Sequence, residues 1–380
     1  MKAIVNGKII KENSIIYDGA ILFNEKIVDI VKFKDINYSD VDEVIDAKGN
    51  YISPGFIDLH IHGSGGKDTM DGKVDSIKTI SNTIAKRGVT AFLPTTMTVS
   101  KEEIYKALDI IKKCMNIELE GAKVLGCHLE GPFINENYKG AQRADYILKP
   151  SYDFIKDYKD VIKIITLAPE KDENFEFIRK VKNNTDIILS IGHSNATYEE
   201  AMESIDEGIS HGTHTFNAMT PLHHRKPGIV GAIFNSDIYS ELIADKIHVH
   251  EAIFTPLIKL KGKDKVILIT DSMRAGCMKD GKWDLGGQNV TVKDGSARLE
   301  DGTLAGSILT LDKAVKNVFE NTDIKIWEAV SMVTKNPAKD INIYNKKGSL
   351  SIGKDSDIIV FDEKFNVNCT IVEGRIVFKI

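Results

Sequence analysis

Eight apolar stretches recur along residues 56–272, and most of them end on a residue suited to chemistry rather than packing. They read FIDLHIH, VTAFLPTT, AKVLGCHLEG, VIKIITLAPE, DIILSIGHS, ISHGTHTFNA, SELIADKIHV and KVILITDS. Helical patterns separate most of them, at residues 74–87, 101–117, 175–181, 197–207 and 251–260; two more, at 311–319 and 326–334, follow the last. Eight strands with helical crossovers over about 290 residues predict a (β/α)8 TIM-type barrel. An open doubly wound sheet is the competing architecture. The polar residues favour the barrel. His60 and His62, Thr95 and Thr96, His128 and Glu130, His193, His214, His248 and Asp271 all fall at strand C-terminal ends. A barrel brings those ends to one face, where active sites are built, whereas an open sheet spreads them along a crevice.

The two ends of the chain read differently. AIVNGKII, GAILFNEKIVDIV and VDEVIDAKG at the start, and SDIIVFD and VNCTIVEGRIVFKI at the finish, are short strands broken by Gly and Asn turns. A strand-rich head and tail predict one small β domain, a β-sandwich of residues 1–52 and 346–380, with the barrel of residues 53–345 inserted into it. The chain is 380 residues long and 42% apolar, enough for a large buried core. Its net charge of −5 comes from interspersed signs, so no basic stripe points to nucleic acid. Four scattered cysteines without C-x-x-C spacing suit a reduced cytoplasmic protein better than a disulfide scaffold. The start lacks the apolar core of a signal peptide. No apolar run approaches the roughly 20 residues that span a bilayer.

Side chains two apart on a strand share a face. In FIDLHIHG this sets Asp58, His60 and His62 on one face and Ile57, Leu59 and Ile61 on the other. The apolar set suits packing on helices, so both imidazoles point inward. One buried histidine is ordinarily a core residue with a hydrogen bond. A pair at a strand end, with more His and acid at other strand ends, points instead to a metal, since neutral imidazole is the commonest metal ligand. GCHLEGPF supplies Glu130, whose alternative is a surface acid; the apolar neighbours and the Gly-Pro turn argue for the interior. LSIGHSNAT supplies His193, with Gly192 allowing a sharp strand exit and Ser194, Asn195 or Thr197 able to cap the next helix. SHGTHTFNAM offers His211 and His214, three apart, so only one of them points inward from a strand; His214 lies nearer the end, and His211 reads as structural. His223 and His224 lie in a loop. VILITDSMRAG supplies Asp271, either a turn cap or a carboxylate beside metal-activated water, placed to take a proton and pass it to a leaving group. Arg225 is a surface cation or a phosphate fork. His248 is a mouth candidate on the seventh strand, and the glycines of DGTLAGS allow close approach of backbone without forming a P-loop.

The ordered set resembles the amidohydrolase superfamily. GFIDLHIHG matches its first-strand signature, and HLEGPF, GHSNAT, GTHTFNAM, TDSM and LAGS together resemble its N-acetylglucosamine-6-phosphate deacetylase family. Each short motif is weak, but the series is specific and runs nearly the whole chain, to NPAKDINIYNKKGSLSIGKDSDIIVFD. The resemblance implies that Glu130, His193 and His214 are metal ligands and Asp271 the catalytic acid and base. It implies that Ala141, Gln142, Asn217, Ala218, Arg225, His248 and Leu304 contact an amino-sugar phosphate. Arg225 is implied to reach the phosphate across the interface of a homodimer. Members differ at the first strand, where some lose one or both histidines and hold one metal. This chain keeps His60 and His62, which implies capacity for two, with Glu130 bridging. It departs at Gln142 of KGAQR, where some members have a histidine; glutamine retains a hydrogen-bonding role but no charge.

The implied reaction is metal-dependent removal of the N-acetyl group of N-acetylglucosamine 6-phosphate. The implied cofactor is one or two divalent ions, with zinc, iron, manganese and cobalt all suiting this ligand set. No nucleic acid or membrane partner is expected. Two rival readings are an amidohydrolase acting on a cyclic amide or another N-acyl compound, and an assembly protein that kept the fold and lost the chemistry.

Overall fold

The computed structural model describes residues 1–380. All eight expected strands form, as Phe56–Ile61, Val89–Pro94, Cys127–Glu130, Ile162–Leu167, Ile188–Ile191, His211–Gly212, Tyr239–Ile243 and Val266–Ile269. The third is shorter than its apolar stretch. Lys123–Val124 pairs with the second strand, then Gly126 at φ 152 breaks the run before Cys127. Every pairing among these strands is parallel. Six run continuously from Cys127–Glu130 to Val266–Ile269, and the first two form a separate short sheet with Lys123–Val124. Single parallel bridges join the two sheets, from Thr95 to His128 on one side and from Ile61 to Ser272 on the other.

Helices return the chain between strands, and their ends follow local chemistry. Ser100 and Glu103 form a reciprocal capping box on Lys101–Met115, whose buried Ile104, Ala107, Leu108, Ile111 and Cys114 recur at helical spacing. Thr197 and Glu200 cap Tyr198–Glu207 in the same way. Two short helices, Tyr152–Ile155 and Gly228–Asn235, and a third, Lys335–Asp340, lie outside the helical patterns read in the sequence. A three-stranded antiparallel sheet, Gly281–Leu285, Gln288–Lys293 and Ser296–Arg298, also went unanticipated. Its signal was present: Gly286–Gly287 between alternating runs is a two-residue hairpin turn. No helix is long and apolar enough to cross a membrane.

Both ends of the chain build one eight-stranded sheet. Tyr51–Pro54 sits between Lys2–Ile10, which it pairs in parallel, and Ile358–Phe361, which it pairs antiparallel. The return of the chain to this sheet is held electrostatically. Lys347 Nζ lies 2.9 Å from Asp355 Oδ2, 2.7 Å from Asp357 Oδ2 and 3.5 Å from Glu373 Oε1. Burial works to lower the Lys347 pKa, but these carboxylates outweigh it and hold the ammonium well above its ordinary range.

A raised lysine pKa stabilises the fold below its ordinary value and loses that contribution as pH climbs through the folded value. At neutral pH the ion pairs are therefore fully present. Lys347→Ala leaves the buried Asp357 carboxylate without its cation and should cost about 3–5 kcal/mol. The check is a denaturant midpoint at pH 7; an unchanged midpoint removes the cluster as what holds the chain's return to the sheet.

Candidate metal and catalytic site

Four imidazoles converge on one carboxylate. Each ring is fixed through Nδ1 on an oxygen, which turns Nε2 inward. His193 Nδ1 donates to the Tyr138 carbonyl at 2.9 Å, and His214 Nδ1 to the Asn217 carbonyl at 3.2 Å. His62 Nδ1 donates to the Thr95 carbonyl at 3.3 Å, and His60 Nδ1 to Glu241 Oε2 at 3.1 Å. The Nε2 atoms of His193, His214 and His60 lie 3.2, 3.1 and 3.4 Å from Glu130 Oε1. His62 Nε2 lies 3.3 Å from Glu130 Oε2. Asp271 Oδ1 completes the cluster, 3.2 Å from His62 Nε2 and 3.5 Å from His60 Nε2.

The strand faces behave as the alternation requires. Asp58, His60 and His62 turn one way, and Ile57, Leu59 and Ile61 pack into the apolar core. Asp58 does not reach the cluster. Its Oδ2 accepts a 2.6 Å hydrogen bond from Thr270 Oγ1, tying the first parallel strand to the end of the last. His128, another strand-end residue, is spent on the Leu59 carbonyl and the Thr166 hydroxyl, and burial pushes its pKa down to about 3.

The backbone pays for this convergence. His193, His214 and Asp271 all take left-handed conformations, at φ 51, 27 and 47, as does Ala218 at φ 50. Such residues cost about 1–3 kcal/mol each and persist where their surroundings hold them. Around His193 the holding is explicit. Its carbonyl accepts from Asn135 N at 2.8 Å. Glu170 takes 2.6 Å hydrogen bonds from Ser194 Oγ and Asn195 N, and one of 2.8 Å from Asn135 Nδ2. Gly192 serves differently from the sharp exit expected of it. Its φ is ordinary, but a Cβ there would lie 2.7 Å from Thr213 Cβ.

The residues present fit a divalent cation. With each Nδ1 held on a carbonyl, the His193 and His214 Nε2 atoms face each other at 3.2 Å, an approach that a cation ligated by both relieves. His60 Nε2 is buried without a hydrogen bond. Glu130–His193–His214 and His60–His62–Glu130 each bring three ligand atoms within 4.8 Å of one another, sharing Glu130.

A cavity of 340 Å³ opens over the cluster, lined by His62, Glu130, His193, His214 and Asp271 and also by Ala141, Gln142, Asn217, Ala218, His248 and Leu304. His60 lies beneath this floor. His248 is not on the seventh strand, which ends at Ile243. It sits in the loop beyond, where Nδ1 bonds Asp245 Oδ2 at 2.6 Å, leaving Nε2 for a ligand. Gln142 does more than line the wall. Its Nε2 donates to Glu130 Oε2 at 2.6 Å and its Oε1 accepts from Thr98 N at 2.6 Å. Arg225 is exposed and outside the lining, its Nη1 2.7 Å from His224 Nε2. Reading the sequence missed Glu241, which holds His60, and Glu170. Glu241 had a signal, an acid inside an apolar strand; Glu170 had none.

The Amidohydrolase family profile matches residues 51–377. The N-acetylglucosamine-6-phosphate deacetylase of Lysinibacillus sphaericus is 42% identical over 337 residues, covering 87% of each chain. That of Bacillus subtilis (strain 168) is 38% identical over 378 residues, covering 97% of this chain and 95% of its own. The crystal structure of N-acetylglucosamine-6-phosphate deacetylase from Pasteurella multocida superposes with a TM-score of 0.93 at 34% identity, covering 99% of both chains.

The electrostatics generate a pH test. Burial works to lower the pKa of His62, but Asp271 and Glu130 prevail and hold it at about 9 in the cation-free protein. That contribution to stability is complete below about 6.5 and disappears as pH rises through about 9. Cation binding needs the neutral ring, so it strengthens over the same interval. The melting temperature of chelator-treated protein should fall from pH 6.5 to 9, and added Zn²⁺ should restore it most at the alkaline end. A flat profile without metal speaks against the cluster as drawn.

Proposed function

The chain belongs to the amidohydrolase family, and we propose that it hydrolyses the N-acetyl group of N-acetylglucosamine 6-phosphate, giving glucosamine 6-phosphate and acetate. The observation that carries this is the convergence of four imidazoles and Asp271 on Glu130, at the floor of a cavity, in a chain whose full-length relatives bear that name. The parallel strands are read as a closed (β/α)8 barrel. The bridges Thr95–His128 and Ile61–Ser272 support closure, with residues 53–345 as barrel and residues 1–52 and 346–380 as the small β domain.

Glu130, His193 and His214 would hold one divalent ion, and His60 and His62, sharing Glu130, a second. When bound, such an ion polarises the amide carbonyl and acidifies water. Asp271 manages the protons. In the cation-free protein burial works to raise its pKa, and His60 and His62 hold it below the ordinary carboxylate value; its role as base is read from its place in the cavity wall beside the ligand set. It takes the proton of the attacking water and delivers it to the amine nitrogen as the C–N bond breaks. The cluster is open on the cavity side alone: His60 is fully buried and Asp271 is 7% exposed. His248, Asn217, Ala218 and Leu304 line the same cavity, where they anchor the sugar phosphate and orient its amide. Arg225 lies outside the cavity of its own chain, so its assignment to the phosphate requires a second copy of the chain.

Asp271→Asn should lower kcat for acetate release by about 10²–10⁴-fold while leaving metal content unchanged by elemental analysis. A rate near wild type sinks the assignment. Arg225→Ala should raise KM for the phosphorylated substrate and leave unphosphorylated N-acetylglucosamine unaffected. Equal losses on both sugars remove Arg225 from the phosphate.

A further inference from the structure

A file of buried polar groups runs from His60 away from the cavity. His60 Nδ1 donates to Glu241 Oε2 at 3.1 Å. Glu241 Oε1 lies 3.1 Å from His211 Nε2, and His211 Nδ1 lies 2.8 Å from Asp340 Oδ2. His60, Glu241 and His211 are completely buried, and Asp340, at the end of helix Lys335–Asp340, is 7% exposed. The two His211 contacts are ion pairs rather than aligned hydrogen bonds.

Stability alone does not account for the file. Buried ion pairs contribute little net stability, and apolar residues of the same volume do as well or better. Glu241 and His211 stand on adjacent parallel strands whose backbone pairing needs neither side chain. What the file reaches is informative. It ends on the imidazole whose Nε2 is buried without a hydrogen bond, facing Glu130 and Asp271. Glu241 Oε2 also accepts from His214 N at 3.0 Å, so one carboxylate touches both ligand groups. Neither Glu241 nor Asp340 lines the cavity. A carboxylate on the far nitrogen of a ligating histidine fixes its ring and tautomer and raises its basicity.

We propose that Glu241, backed by the His211–Asp340 pair, is the positioning residue that makes His60 a cation ligand, and so governs occupancy of the His60–His62–Glu130 group. This rests on reading the site as cation-dependent. Glutamine at 241 has one acceptor oxygen for three donors, so the ring of His60 loses its fixed partner. Asparagine at 340 keeps an acceptor for His211 but removes the charge that orders it.

The test titrates the chelator-stripped full chain with Co²⁺, reading ligand-field absorption and bound metal by elemental analysis, without substrate. Wild type should take two equivalents, and His60→Ala should lose the second. Glu241→Gln should retain the first and weaken the second by about 10–100-fold. Asp340→Asn should shift it in the same direction by less, and it carries the test if Glu241→Gln fails to fold. A purely structural role would lower the melting temperature and weaken both equivalents together, which overturns the proposal. So does wild-type affinity for both equivalents in both variants, or a wild type that takes one equivalent insensitive to His60→Ala. Acetate release by the wild type, measured separately, bears on the hydrolase reading alone.

Discussion

The Glu130 carboxylate is the constraint on which the rest of the structure depends. A buried carboxylate costs several kcal/mol in lost hydration unless positive charge or donors surround it. Here burial works to raise the Glu130 pKa, and His60, His193 and His214 overcome it and hold the group well below its ordinary value. Those imidazoles come from separate parts of the chain: His60 and His62 from the first parallel strand and its exit, His193 from after the fifth, His214 from after the sixth. No local segment brings them together. Parallel strands with their C-terminal ends on one side do, which is why this site and this fold go together.

Getting the rings there takes a second set of residues. His193, His214 and Asp271 sit in left-handed backbone just past their strands, so each side chain turns back over the strand end instead of continuing outward. Strain of that kind survives only under fixed neighbours. Glu170 supplies them on one side with three hydrogen bonds around His193. On the other, Asp271 N bonds the His60 carbonyl at 2.8 Å and Asp271 O accepts from Ser307 N at 2.7 Å. Arg274 then anchors the unanticipated hairpin, bonding the Asp284 carbonyl through Nε at 2.7 Å, and that hairpin places Leu285 in the cavity wall.

Much of this was legible in the sequence because it depended on parity and order. Alternation along FIDLHIHG assigns faces whatever the tertiary context, and the succession of strands places each polar end on one side. What stayed hidden depended on distance between segments. Glu170 stabilises a loop 25 residues away, and no spacing rule links it to Asn195. Asp340 meets His211 through the packing of a helix that follows the last strand. Gly192 was singled out correctly but for the wrong reason: the need is for space beside Thr213, and a sequence shows conformational signals more readily than crowding. His248 was placed on a strand because apolar residues continue toward it, yet Asp245 turns the chain first, accepting from the backbone of Ile247 and His248 at 2.8 Å.

The two oxygens of Glu130 divide the site. Oε1 faces His193, His214 and His60, and Oε2 faces His62 and Gln142. A carboxylate shared this way bridges two ligand groups only if its plane is fixed, and one hydrogen bond from a rigid donor fixes it. Gln142 is that donor, held in turn by Thr98 N. Its amide is neutral at every accessible pH, so it orients Glu130 without competing for the same position as a charge. A histidine there would add a positive charge whenever protonated, beside ligands that must already be neutral to bind metal. Keeping both first-strand histidines and using glutamine at 142 are therefore consistent choices: one supplies the second group of ligands, and the other leaves room in the local charge balance for the ion they would hold.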